Sequence, residues 1–503
     1  MVTDIRDLGL LLHSKTPLLV LETFDELRAL ETVQRAVAEA STSERGRLRS
    51  RPIYRWTITD GLVRLGFGGE LSLAGESMPH QEPDEVLQHL KTVEKPAVIV
   101  LCDFHPYLEG NPKNVRLLKD IALGQGGNGH TLVMVSHQLK LPKELSRLAA
   151  RVNLALPSDE EIMTIVREEA KAWAAKGGRV RADQATVARM VNNLRGLSFA
   201  DVRALVRSAI VDDGAITESD LPAINKAKFE LLNLEGVVSF EFDTASFADV
   251  GGLEKLKQWL ASRQTAFTDA ALADKPKGLM LLGVQGSGKS LAAKAVAGLW
   301  GLPLLRLDFG ALYNKYHGES ERNLREALAL ADRMAPCVLW MDEVEKGLAT
   351  DGNDSGTSKR LLGTLLTWQA ERKTSVFVVA TANDISALPP ELMRKGRLDE
   401  IFFVDLPKAP VREQIFAIHL RRRGLERLTI QAPILASAAE GFSGAEIEQA
   451  VVSAIYSARA NNAECGVKDI LHELANTNPL SVIMAEKVAE LRGWAQERCV
   501  LAD

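Results

Sequence analysis

The octapeptide Gly283-Val284-Gln285-Gly286-Ser287-Gly288-Lys289-Ser290 constrains this chain more than any other feature. It follows the apolar run Leu279-Met280-Leu281-Leu282 and precedes the helical stretch Leu291–Leu299. Strand, glycine-rich turn and helix in that order predict a phosphate-binding loop. Glycine lets the backbone fold round an anion with its N–H groups pointing inward, at the positive end of a helix. On that pattern Gly283, Gly286, Ser287, Gly288 and Leu291 cradle a nucleotide. The Lys289 ammonium faces its β and γ phosphates, and the Ser290 hydroxyl is a ligand for magnesium. A chance glycine-rich turn is the bland alternative, and the full spacing in this context argues strongly against it.

A second apolar run, Val338-Leu339-Trp340-Met341, delivers Asp342 and Glu343 at its end. Beside a phosphate loop this predicts that Asp342 holds magnesium and that Glu343 polarises the attacking water. A third run, Val376–Ala380, leads to Thr381-Ala382-Asn383-Asp384. Asn383 is placed to orient that water, or else caps the turn that follows. Arg394 and Arg397, three apart at an expected helix end with Gly396 between them, read as outward-facing cations aimed at a neighbour's phosphate. An ordinary cationic helix C-terminus is the other reading.

Composition narrows the class. Hydrophobic residues make up 46% and charged residues 25% of the 503, enough apolar side chain to exclude a mainly disordered chain. The net charge of -5 lacks the basic field of a general nucleic-acid binder, so nucleic acid is not the expected partner. Cys102, Cys337, Cys465 and Cys499 form no CxxC pair, which signals neither a metal nor a disulfide framework and favours a reducing compartment. No apolar run reaches the roughly 18–20 residues of a membrane span, and Asp4 and Asp7 stand where a signal peptide would be positive. The expectation is no membrane insertion and a cytoplasmic location, or the plastid stroma for an organelle-encoded chain.

Together these residues resemble the AAA+ ATPases, in detail the AAA-proper branch, from Phe247 to about Ser457. The resemblance implies ATP and Mg2+ as cofactors, and it adds residues. Val250 and Gly251, in Asp249-Val250-Gly251-Gly252, correspond to the loop against adenine. His419 contacts the nucleotide from the small domain, and Gly444 and Ala445 open the final lid helix, where this branch lacks a sensor arginine. Arg394 and Arg397 become arginine fingers donated in trans, which implies self-association into a hexameric ring and a monomer that hydrolyses poorly. Lys315–Glu321 resembles the first pore loop, in which Tyr316 grips a polypeptide; local packing of Tyr316 is the alternative. Thr367-Trp368-Gln369-Ala370-Glu371 departs from the Asp-Gly signalling motif of many relatives. The tail, Pro479 through Ala495, is similar to that of an AAA protein of algal plastids and cyanobacteria.

The first half reads as a worn copy of the second. Leu194–Val202 parallels Ala439–Ile447, Ser208-Ala209-Ile210 parallels Ser453-Ala454-Ile455, and Pro142–Leu145 parallels Pro389–Leu392. A repeat of whole-domain period points to duplication; an unrelated α/β domain is the alternative. In this copy Glu22-Thr23-Phe24-Asp25-Glu26 replaces the phosphate loop, and Asp103-Phe104 replaces the acid pair, which removes the catalytic carboxylate.

The expected fold is therefore a P-loop three-layer α/β parallel sheet with a helical lid, preceded by a degenerate AAA-like α/β module with its own lid. The boundaries are expected at 1–157 and 158–222 for the first module and lid, 223–246 for a linker, 247–407 for the active large domain, and 408–503 for its lid and tail. The leading functional reading is an ATP-hydrolysing remodeller of a protein partner; the rival is a nucleotide-gated scaffold with slow turnover.

Overall fold

The structure, a computed structural model, describes residues 2–42, 51–66, 73–78, 80–124, 129–178, 180–232, 238–241, 249–268, 274–309, 319–348, 355–385, 388–394 and 396–503. These form two compact units, Met1–Lys171 with Leu197–Arg207, and Ala172–Gly196 with Ser208–Asp503.

The first unit is built on β1 (Leu18–Glu22), β2 (Ile53–Thr57), β3 (Gly61–Leu65), β4 (Leu73–Met78), β5 (Val98–Cys102), β6 (Thr131–Ser136) and β7 (Ala149–Val152), in the order β4-β3-β2-β5-β6-β1-β7. β2, β5, β6, β1 and β7 run parallel, and β3 and β4 add antiparallel edge strands. Their central strands are continuous apolar runs because helices cover both faces of a parallel sheet. Leu19, Leu21, Val98, Val100, Val133 and Val135 pack with Leu8, Leu30 and Val33 on one face. Leu18, Val20, Ile99, Leu101 and Met134 pack with Val86, Leu90 and Leu118 on the other.

The second unit contains the short parallel pair β8 (Arg181–Ala182) and β9 (Ala215–Ile216) and a larger sheet. That sheet comprises β10 (Val238–Glu241), β11 (Gly278–Gly283), β12 (Leu304–Asp308), β13 (Cys337–Asp342), β14 (Val376–Ala382), β15 (Glu400–Val404) and β16 (Val500–Leu501), in the order β10-β12-β13-β14-β11-β15-β16. Four helices, Ala409–Arg422, Ala432–Ala438, Gly444–Ala460 and Val467–Ala475, form a lid around their own core of Phe416, Leu435, Ile447, Val451 and Ile470. Val488, Leu491 and Ala495 of helix Ala485–Ala495 join the core beneath the sheet.

The parallel order β2-β5-β6-β1-β7 of the first sheet recurs as β12-β13-β14-β11-β15 in the second. The lid entry recurs as well. Gly196 and Gly441 both take left-handed backbone, at φ 82° and 78°. Two residues later Ser198 caps Asp201 N at 3.1 Å, and Ser443 caps Glu446 N at 3.4 Å. The expected doubled α/β fold is thus present, and the likeness of the halves is not accidental. Among the described residues no helix is long and apolar enough to cross a membrane.

The stretch 223–246 starts within the helix Asp220–Leu232, whose Phe229 lies in the core of the second sheet. Lys228 beside it is 1% exposed and donates to Asn193 O at 2.9 Å. Burial lowers its pKa from the ordinary 10.5 to about 8. The unfolded chain thus binds this proton more tightly than the folded one, so stability rises as pH climbs from about 8 to about 10.5. We predict that Lys228→Met gains up to about 3 kcal/mol on the wild type as pH falls through that window, measured by urea denaturation. A pH-independent difference between the two would contradict this.

Candidate active site

Parallel pairing of β11 with β14, and of β14 with β13, brings the carboxyl ends of all three strands to one edge. All six residues of β11 are buried, which anchors the loop that follows. The loop turns at Gly286 (φ 76°) and Gly288 (φ 95°), and Gly288 is the N-cap of helix Lys289–Trp300. A Cβ on Gly286 would lie 2.9 Å from Ser443 Oγ, so the loop also packs closely on the lid. Ala445 N donates to Gly286 O at 3.2 Å across the same contact.

Lys289 is 6% exposed and turns back into its own loop, with Nζ donating to Gly283 O at 2.9 Å and to Val284 O at 2.8 Å. Burial lowers its pKa to about 8, against the opposing pull of Glu345, Asp342 and Glu343. The Ser287 hydroxyl is buried with no hydrogen-bond partner among the described residues.

At the end of β13 the two acids have different partners. Asp342 Oδ1 accepts from Thr381 Oγ1 at 2.7 Å, and Oδ2 from Arg306 Nη2 at 3.0 Å. Glu343 is left-handed at φ 48°, and its backbone N–H is held by Thr381 Oγ1 at 3.1 Å. One carboxylate oxygen of Glu343 accepts from Asn383 Nδ2 at 3.1 Å, and the other pairs with Lys346 Nζ at 2.5 Å. Buried Glu345 accepts from Asn383 N at 3.0 Å, and burial raises its pKa.

Much of the remaining lining is apolar: Val250, Gly251 and Leu253, Ile415 and Ile418 beside His419 of the first lid helix, and Gly444 and Ala445. A Cβ on Gly251 would lie 2.9 Å from Ile415 Cγ1, so this segment packs closely on the lid. His419 Nδ1 meets Arg423 Nη1 at 3.1 Å, which suits a neutral ring accepting there. Burial lowers the histidine's pKa although Glu448 opposes this.

One cleft of about 310 Å³ is lined by Val250, Gly251, Gly286, Ser287, Gly288, Lys289, Ser290, Leu291, Asp342, Glu343, Asn383, His419, Gly444 and Ala445. Gly283 lies behind it, its carbonyl taken by Lys289. Arg394 and Arg397 are not among its lining residues. They follow a short 3-10 turn, Pro390–Met393, where a helix end was expected; Arg394 is exposed and Arg397 Nη1 donates to Glu391 O at 3.2 Å. Tyr316 lies outside the described residues.

Sequence reasoning gave no role to Thr381, Lys346, Glu345 or Arg306. Arg306 had a signal, as a lone cation within the otherwise apolar run Leu304–Leu307. The cleft suits a magnesium nucleotide on its own chemistry. It offers an unpartnered buried hydroxyl, a buried cation and a helix N-terminus for phosphate, and the Ser290 hydroxyl with the Asp342 carboxylate for a hard cation.

The equivalent edge of the first sheet differs. Only Thr23, Phe24 and Asp25 separate β1 from helix Glu26–Thr42, with Phe24 73% exposed, whereas residues 284–288 separate β11 from its helix. The backbone also corrects the pairing of acids. Asp103 has the φ of 48° seen at Glu343, so it stands in the place of Glu343, and Cys102 stands in that of Asp342. A carboxylate therefore stands there, one methylene shorter and accepting from Ser136 Oγ at 2.9 Å, while the position of Asp342 carries a thiol.

Comparison with known proteins agrees with this architecture. The family model for the ATPase family associated with various cellular activities (AAA) matches residues 279–406. Those for the N-terminal and second domains of the SpoVK-like AAA ATPase match residues 4–154 and 160–235. The chain is 33% identical over 499 residues to the uncharacterized AAA domain-containing protein ycf46 of Guillardia theta, covering 98% of this chain and 94% of that protein. It is 34% identical to the ycf46 protein of Pyropia yezoensis, covering 97% of each. Over 226 residues it is 35% identical to the proteasome-activating nucleotidase of Aeropyrum pernix, covering 42% of this chain and 54% of that protein. The chain thus belongs to the AAA family of ATPases, with a nucleotide-hydrolysing module preceded by SpoVK-like domains.

Proposed function

We propose that this ATPase works as a hexameric ring that remodels a protein partner, with each active site completed by a neighbouring subunit. The single observation that carries the reading is the exposure of Arg394 away from its own cleft, which leaves its guanidinium available to another subunit's phosphate. The name of one relative, a proteasome-activating nucleotidase, also couples nucleotide turnover to a protein assembly.

In this reading Val250, Gly251, His419, Gly444 and Ala445 hold the base and ribose side. The loop from Gly283 to Leu291 holds the phosphates through backbone N–H groups, the Ser287 hydroxyl and Lys289. Ser290 and Asp342 would hold Mg2+, which when bound neutralises charge on the β and γ phosphates. Glu343, held by Asn383, accepts the proton of the attacking water. Arg394 and Arg397 of a neighbour stabilise charge on the transferring phosphoryl group. Tyr316 would grip the polypeptide. We also assign residues 1–157 and 158–222 to a silent first module with its lid, 223–246 to the join, 247–407 to the active large domain, and 408–503 to its lid and tail. A cytoplasmic or stromal setting suits its free cysteines.

The second reading, a nucleotide-gated scaffold with slow turnover, draws on the two ion pairs that engage the acids, Arg306–Asp342 and Lys346–Glu343. A scaffold keeps its biological activity in Tyr316→Ala, whereas a remodeller loses it.

Three outcomes are expected. Glu343→Gln retains ATP binding but loses at least about 100-fold in turnover, while Lys289→Ala loses binding, by fluorescent-nucleotide titration and phosphate release. Wild-type turnover in Glu343→Gln would refute its role. Arg394→Ala binds ATP normally yet hydrolyses poorly, and mixing it with Glu343→Gln restores turnover, since mixed rings contain sites with an intact glutamate and a neighbour's intact arginine. No restoration in mixed assemblies would count against donation in trans. Finally, the lowered pKa of Lys289 means that the free protein loses this proton above about pH 8. Bound phosphate favours the charged form, so ATP affinity should weaken above that pH by up to about tenfold per unit; a flat titration would contradict this.

A further inference from the structure

The apolar wall of the nucleotide cleft has a support that no sequence motif announces. The segment Asp249–Leu253 bends through two successive left-handed residues, Gly252 at φ 69° and Leu253 at φ 60°. Leucine does not adopt that conformation spontaneously, because its Cβ crowds the following carbonyl oxygen. The surroundings must therefore hold it there.

The lid holds one side. Gln414 Oε1 accepts from Gly252 N at 2.9 Å, and Arg422 pairs with Asp249 at 3.0 Å. The last residues of the chain hold the other. β16 pairs in parallel with β15 and carries the chain across the sheet edge to Ala502, which is 1% exposed. Ala502 N donates to Phe403 O at 3.0 Å, and Ala502 O accepts from Lys255 N at 3.0 Å and Leu256 N at 3.2 Å. The Asp503 carboxylate accepts from Leu253 N, the amide of the strained residue. Its main-chain oxygen takes Lys255 Nζ at 2.6 Å. A Cβ on Gly252 would lie 2.8 Å from both Asp503 Oδ1 and Val411 Cγ1, so the bend is gripped between chain end and lid.

Asp503 does not line the cleft, but Leu253 and its neighbours Val250 and Gly251 do. We propose that Asp503 is a positioning residue for the nucleotide base, and that its clasp on Leu253 sets the selectivity of the cleft for adenine nucleotides. This rests on the reading that Val250 and Gly251 form the base wall. The phosphate cradle hangs on a different strand, β11, so loosening the wall should leave phosphate binding intact.

The test uses the full chain and compares ATP, GTP and inorganic triphosphate as competitors of a fluorescent ATP analogue. Asp503→Ala should bind ATP roughly tenfold more weakly, the loss of one good hydrogen bond. Triphosphate affinity should be unchanged, and the preference for ATP over GTP should shrink. Asp503→Asn, which retains an acceptor oxygen for Leu253 N, should recover most of the loss and shows that the defect is not misfolding. Equal losses for ATP and triphosphate, or wild-type ATP binding in Asp503→Ala, overturn the proposal. Val250→Ala separates the two levels. If it weakens ATP while Asp503→Ala does not, the base wall stands and the clasp falls; if it leaves ATP binding unchanged, the base-wall reading itself fails.

Discussion

The chemistry of this protein depends on parallel pairing between β11, β13 and β14. Because the strands point the same way and neighbour one another, their carboxyl ends emerge along one edge. That edge brings together the phosphate-type loop, the two acids and Asn383, which lie far apart in sequence. The continuous apolar character of the strands makes the arrangement obligatory, since both faces of each strand must be buried. Hydrogen bonds then refine it: Thr381 touches both the Asp342 carboxylate and the Glu343 amide, and so fixes one acid relative to the other.

The first module keeps this frame and places different residues along the edge. Its five parallel strands keep the same order, yet the loop after β1 is short and carries exposed Phe24. Glu22, at the strand end, is engaged by Arg151 at 2.6 Å and by Leu139 N at 3.0 Å. The edge is thus closed by side chains of the module itself, and among its described residues no lysine is buried there.

What was legible in the sequence follows from where the determining forces act. The loop from Gly283 to Ser290, the acids and Asn383 were readable because each sits where a local hydrophobic run ends. The lid entries were readable because glycine, serine and an acid at fixed spacing form one hydrogen-bonded turn. The clasp of Asp503 on Leu253 was not readable, since it joins residues 250 apart and involves a backbone amide that any residue supplies. Arg306 escaped for a related reason, as its partner Asp342 is on the neighbouring strand and only the register aligns them. The match between Asp103 and Glu343 emerged from their shared backbone angle, because a lone Asp beside Cys102 does not announce by residue type which acid of the pair it matches.

That shared angle bears on how the turn at Glu343 is understood. A left-handed residue lining a nucleotide cleft invites interpretation as tension set aside for chemistry. Asp103 bends in the same way at the end of β5, in a module where only Thr23-Phe24-Asp25 separates β1 from the next helix. The kink therefore belongs to the path by which a strand leaves this kind of sheet. It is a property of the architecture, shared by the glutamate of the nucleotide cleft and by an aspartate in the first module.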